Sequence, residues 1–149
     1  MYRVVFPIIL LLIVSTVQAG SPDEISAIKK TAMNYMEAWY QGDAKKMKES
    51  LHSNLAKRSL REAYGGKKEL RLTTASDMIS YTESGYGKNL WRENYNIEVI
   101  VLDFYKNIAS VKVIAPHYHE YLHLVKTDDK WVIVNALYEK KSPTSDSNI

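Results

Sequence analysis

The residues whose types and spacing suggest chemistry most sharply are His119-Glu120-Tyr121-Leu122-His123. They match H-E-x-x-H, in which two histidines one helical turn apart bind zinc and the glutamate works on the metal-bound water. That chemistry needs a helix. Pro116 could open one, but the flanking residues alternate like a strand and a hairpin turn follows. In a strand, four residues span about 13 Å, too far for both histidines to reach one metal. His117 and His119 would share a strand face and could both reach one ion, yet no third ligand is evident. The histidines therefore read as surface or interface residues, and neither a metal nor a cofactor is expected.

Two carboxylates remain as candidates for catalysis. Glu120 or Asp103 would serve as a general base if desolvated, because burial raises a carboxylate pKa towards neutrality. Strand phase selects the residues that would share a pocket. If Leu122 and Leu124 face inward, Tyr118 and Glu120 do too. With Tyr35, Trp39, Trp131 and Asn135 they form a candidate ligand-binding set: aromatic walls with a few polar groups, as a flat heterocycle requires. The same aromatics at core spacing would equally serve as packing. His119, Tyr121 and His123 would then lie on the opposite sheet face. Ile100 and Leu102 join them there if Val99 and Val101 point inward. Such a half-apolar face suits a homodimer surface as well as a partly exposed sheet. The basic stretch from Lys57 to Arg71 could meet an anionic ligand or simply be a solvated face.

These residues must be positioned by elements that the chain's periodicity reveals. Ser21-Pro22-Asp23-Glu24 reads as a capped helix start. Ile25, Ile28, Ala32, Tyr35 and Trp39 then fall on one helical face. Gly42 ends that helix, and Asp43 caps a second running to about His52. Leu55 to Leu72 reads as two short irregular segments joined at Gly65-Gly66. Thr74 with Asp77 caps a third helix, which Gly85 and Gly87 end. From Asn96 the period becomes two. Strands at 96–105, 108–115, 118–126 and 131–138 make an antiparallel meander. Helices first and strands after predict an α+β domain.

With 149 residues, 46% hydrophobic and 25% charged, the chain is long enough for one core. Its formal net charge of +3 makes no electrostatic case for nucleic acid. It contains no cysteine, so no disulfide or thiol chemistry is available. Met1-Tyr2-Arg3, an apolar run from Val4 to Val14, and Val17-x-Ala19 have the form of an export signal ending at residue 19. An uncleaved anchor is the alternative. The expected organisation is a signal at 1–19, a domain at 20–141 and a polar tail at 142–149. The expected location is periplasmic or secreted, with no membrane association after cleavage.

Tyr35-x3-Trp39-x2-Gly42-Asp43, Leu51-His52 and Lys57-Arg58 resemble the opening of the putative lumazine-binding family, within the NTF2-like superfamily. Asn107 to Val113, Tyr121 to Leu124 and Lys130 to Asn135 resemble its central strand and closing hairpin. The likeness runs from about Asp23 to Lys141. It implies an NTF2-like cone, with N-terminal helices packed on a curved antiparallel sheet, and a small hydrophobic or heterocyclic ligand. The same superfamily includes ketosteroid-isomerase-like and SnoaL-like enzymes and dimeric interaction modules, so function does not follow from fold. The frequent His-Pro-Asp of the superfamily is here His52-Ser53-Asn54, which removes one carboxylate from that corner. A binding protein is thus the expected function. An enzyme using a pocket carboxylate, or a dimer module with a filled cone, are the alternatives.

Overall fold

The computed structural model describes residues 22–90, 92 and 96–141. The expected export signal, the expected Ser21 cap and the expected polar tail lie outside the described residues.

Helix α1 spans Pro22–Gln41 and buries Ile28, Ala32 and Tyr35 of the predicted stripe, with Met36 beside them, while Ile25 and Trp39 are half-buried. Gly42 ends it in a left-handed conformation (φ 72°) that a side chain would resist. The chain turns at once into α2 (Ala44–Ser50), where the Asp43 carboxylate accepts from the Lys46 N–H at 2.9 Å. Helix α3 (Ala75–Glu83) starts with a full capping box between Thr74 and Asp77.

The strands are β1 (Leu51–Glu62), β2 (Lys68–Thr73), β3 (Glu98–Tyr105), β4 (Ile108–Ile114), β5 (Tyr118–Thr127) and β6 (Lys130–Lys140). They form one sheet in the order β2-β1-β6-β5-β4-β3. The meander from β3 to β6 is antiparallel. Asp128 and Asp129, both at positive φ, make the β5–β6 turn. The stretch expected to be irregular is instead a regular hairpin. Strand β1 begins directly after α2, pairs antiparallel with β2, and closes the sheet by lying parallel to β6.

All three helices lie on one face of this curved sheet. Fully buried Ile28, Met36 and Met47 meet Val111, Val113, Leu122, Leu124 and Ile133 there. Each such side chain stabilises the fold by about 1.5–3 kcal/mol. At the sheet end nearest the start of α1, the Glu24 carboxylate accepts from Lys126 at 2.6 Å and from the Trp131 indole N–H at 2.7 Å. This ties the first turn of α1 to the β5–β6 hairpin.

Candidate functional site

At the other end the sheet and helices separate, leaving an open cavity of about 430 Å³. Its aromatic walls are Tyr35 and Trp39 from α1, Tyr81 and Tyr86 near α3, Tyr118 from β5 and Tyr138 from β6. Lys57 and Glu120 line it too, both almost fully buried, at 5% and 2% exposure.

These polar residues form a closed network. The Lys57 ammonium donates to Glu120 Oε2 at 2.7 Å and to the Tyr35 hydroxyl at 2.6 Å. Tyr35 in turn donates to the same Glu120 oxygen at 3.0 Å. The ammonium also sits 4.0 Å from the centroid of the Tyr138 ring. A lone buried charge would be costly; paired and hydrogen-bonded in this way, both charges can stay inside. Among the described residues both bonds go to Oε2, which leaves Oε1 for a further donor.

Three tyrosines of the cavity are driven apart in acidity. Burial and then the charge of Glu120 push Tyr35 well above the ordinary phenol value. Burial and then Glu120 push Tyr118 up to about 12, with Trp39 opposing the rise. Burial alone would raise Tyr138, but bonding from Ser59 and Arg61 and the charges of Lys57 and Arg61 outweigh it and lower its pKa. Trp39 meets Tyr118 edge-on at 6.3 Å between ring centroids, and its Nε1 is buried without a hydrogen bond of full geometry. Gly87 packs directly on Trp39: a Cβ there would clash with the Trp39 carbonyl oxygen and come within 2.6 Å of Nε1. A glycine is therefore needed to hold this wall in place.

Four of the residues expected to bind ligand, Tyr35, Trp39, Tyr118 and Glu120, line this one cavity. The other two lie elsewhere. Trp131 is buried at the far end of the sheet, bonded to Glu24. Asn135 is displaced by a bulge. His123 pairs with Asn135 but Leu124 pairs with Ile133, so β6 carries an extra residue and its face changes phase. Asn135 therefore sits opposite exposed His123 and within 3.5 Å of Arg58. The same bulge turns Tyr138, rather than an odd-numbered neighbour, into the cavity. Asp103 is also removed from the site. It follows a bulge in β3, is exposed, and pairs with Ser110, whose other neighbour is His123.

The H-E-x-x-H residues lie on β5, not on a helix. Glu120 points into the cavity, while Tyr121 and His123 are exposed on the outer face. His117 lies in the bend before β5, 3.5 Å from the Tyr40 hydroxyl. Among the described residues no group of three His, Cys, Asp or Glu side chains could hold a metal ion.

Tyr81, Tyr86, Tyr138 and Lys140 line the cavity and were not selected from the sequence, while Lys57, Arg61 and Arg71 were read only as part of a basic stretch. Leu55, Lys57 and Ser59 do alternate as buried positions of a strand. The surrounding cations hid that period.

Three helices on a curved, mostly antiparallel sheet, with the cavity between them, define an NTF2-like fold. A family described as "Putative lumazine-binding" matches residues 23–139, and the chain belongs to that family. Solved structures of similar fold include an NTF2-like protein from Methylobacillus flagellatus KT, 22% identical, covering 83% of this chain and 97% of that one, with a TM-score of 0.66. A second, from Silicibacter pomeroyi DSS-3, is 16% identical, covers 80% and 97%, and has a TM-score of 0.62. Both are described as of unknown function. A ketosteroid isomerase-like protein from Erwinia carotovora atroseptica SCRI1043 is 15% identical, covers 83% and 100%, and has a TM-score of 0.59. No curated protein matches the chain.

Proposed function

We propose that this is an exported domain, with no assigned catalysis, that binds a small flat heterocyclic or hydrophobic molecule in its cone. The observation that carries this reading is the cavity. Its volume of about 430 Å³, aromatic walls and polar floor are those of a small-molecule site. An interaction module with a filled cone would have no such space. The family's name supports a lumazine-like ring, and the sequence of residues 1–19 supports export.

A ketosteroid-isomerase-like reaction fits less well. Asp103 lies outside the cavity, and Glu120 is committed through Oε2 to Lys57 and Tyr35, which leaves only Oε1 for another partner.

Homodimerisation through the outer sheet face is a second part of the proposal. Leu70, Leu60, Leu137 and Tyr121 are exposed on neighbouring strands β2, β1, β6 and β5, with Leu60 opposite Leu70 and Tyr121 opposite Leu137. A continuous apolar patch of this kind suits a self-complementary interface.

The test is a thermal-shift screen of residues 20–149 against lumazines, pterins, flavins, steroids and polyketide-like aromatics. A ligand that binds only the folded state must raise the melting temperature as its concentration passes its Kd. A saturable rise with one class supports the reading. A flat response across the panel overturns it.

A further inference from the structure

We propose that the mouth of this cavity is an anion subsite, so that the ligand is a flat ring bearing a carboxylate or phosphate at its outer end. This rests on the reading of the cavity as a ligand site and adds the charge of what enters it.

The cavity is lined by four cations, Lys57, Arg61, Arg71 and Lys140, against one carboxylate, Glu120. Lys57 is neutralised by Glu120 at the floor. The other three stand at the mouth and come from three different strands. Strand register brings them together. Arg61 shares the inward phase of Lys57 on β1, Arg71 on β2 pairs with Ser59, and Lys140 on β6 pairs with Tyr118. Both guanidinium groups lean on neutral partners: Arg61 donates to the Tyr138 hydroxyl at 3.5 Å and Arg71 to the Tyr81 hydroxyl at 3.3 Å. These bonds orient the cations without cancelling their charge.

Two described carboxylates stand nearby without forming an ion pair to these cations. Glu69 is the register partner of Arg61, and Asp77 feels the field of Arg71, but Asp77 is held by the Thr74 cap. Among the described residues none of the three mouth cations makes an ion pair. A solvated surface face would point its cations outward and apart. Here they converge on a concave aromatic space, whose low-dielectric walls concentrate their field. An anionic oxygen placed there would gain charge-assisted, and from arginine bidentate, hydrogen bonds.

Matched ligands that differ only in charge test this by calorimetric titration. The probes are pterin with pterin-6-carboxylate, and 2-naphthol with 2-naphthoate and 2-naphthyl phosphate. At low salt the acidic members should bind at least about tenfold more tightly than the neutral ones, the scale of one charge-assisted bond. The preference should shrink as salt screens the mouth. The two naphthyl anions show whether carboxylate or phosphate is preferred. Arg61→Gln with Arg71→Gln should bring the acidic ligands down towards the neutral ones, with thermal melting to confirm folding. Lys140→Gln, at the exposed end of β6, repeats the test outside the β1–β2 hairpin. Equal, salt-insensitive affinity for neutral and acidic partners would overturn the anion subsite while leaving the cavity a ligand site. Failure of every probe to bind would overturn both.

Discussion

Lys57 and Glu120 meet at 2.7 Å although they stand on strands that are not neighbours. Strand β6 runs between β1 and β5, and Tyr138 is the β6 residue opposite Glu120. The ammonium crosses above the Tyr138 ring, 4.0 Å from its centroid, to reach the carboxylate. The cavity floor is therefore a charge pair bridging three strands, with the Tyr35 hydroxyl closing it from α1.

Removing one partner of this pair strands the other inside the protein. Lys57→Met should cost about 3–5 kcal/mol in urea unfolding, the usual range for an orphaned buried charge. Lys57→Met combined with Glu120→Leu should recover much of that loss, because no charge is then buried alone. Simple addition of two large losses would show that the residues act independently.

Gly87→Ala should distort the wall formed by Trp39, since the added methyl has no room against the Trp39 backbone and ring. The expected cost is about 1–3 kcal/mol, as for other overpacked sites. Ligand affinity should fall with it. An unchanged melting temperature would contradict the close packing of these two residues.

Alkaline pH should destabilise the fold through Tyr118. Its pKa in the folded state, about 12, lies above the ordinary phenol value of 10.0. The raised value favours folding fully below about pH 10, and that contribution is lost as pH rises towards 12. Absorbance titration near 295 nm should show Tyr138 ionising early and Tyr118 late, with circular dichroism falling over the same late window. Tyr118→Phe should flatten that fall. Joint ionisation of both tyrosines near pH 10 would contradict the assigned environments.

Tyr121→Arg with Leu137→Glu alters the apolar patch on the outer face and touches none of the described cavity walls. Light scattering should report a dimer for the parent and a monomer for this variant, with ligand binding retained. A monomeric parent would remove the dimer from the account.

Much of this molecule could be read from its residues, for reasons that differ by element. The stripe of α1, the Thr74–Asp77 box and the alternation of β4 and β5 are local patterns, and local patterns survive folding. Glu120 was placed correctly in phase with Leu122 and Leu124 because β5 is regular through those positions. Asn135 and Asp103 were misplaced because each follows a bulge, and one extra residue reverses every face beyond it. Lys57 was read only as one cation of a basic stretch, and its burial against Glu120 was missed, because a buried cation is rare and its partner lies 63 residues away. Trp131 looked like a pocket wall by type alone, but its indole N–H is satisfied by Glu24 at the other end of the sheet.

The most direct measurement follows the emission of Trp39, which lines the cavity. In a protein carrying Trp91→Phe and Trp131→Phe it is the sole tryptophan, since the chain has three. Titration with pterin, lumazine or flavin should produce a saturable change in its fluorescence, and Tyr118→Leu should weaken that response by removing a neighbouring wall. Unchanged Trp39 emission across all three rings, in a variant that remains folded, would contradict the claim that this cone is a ligand site.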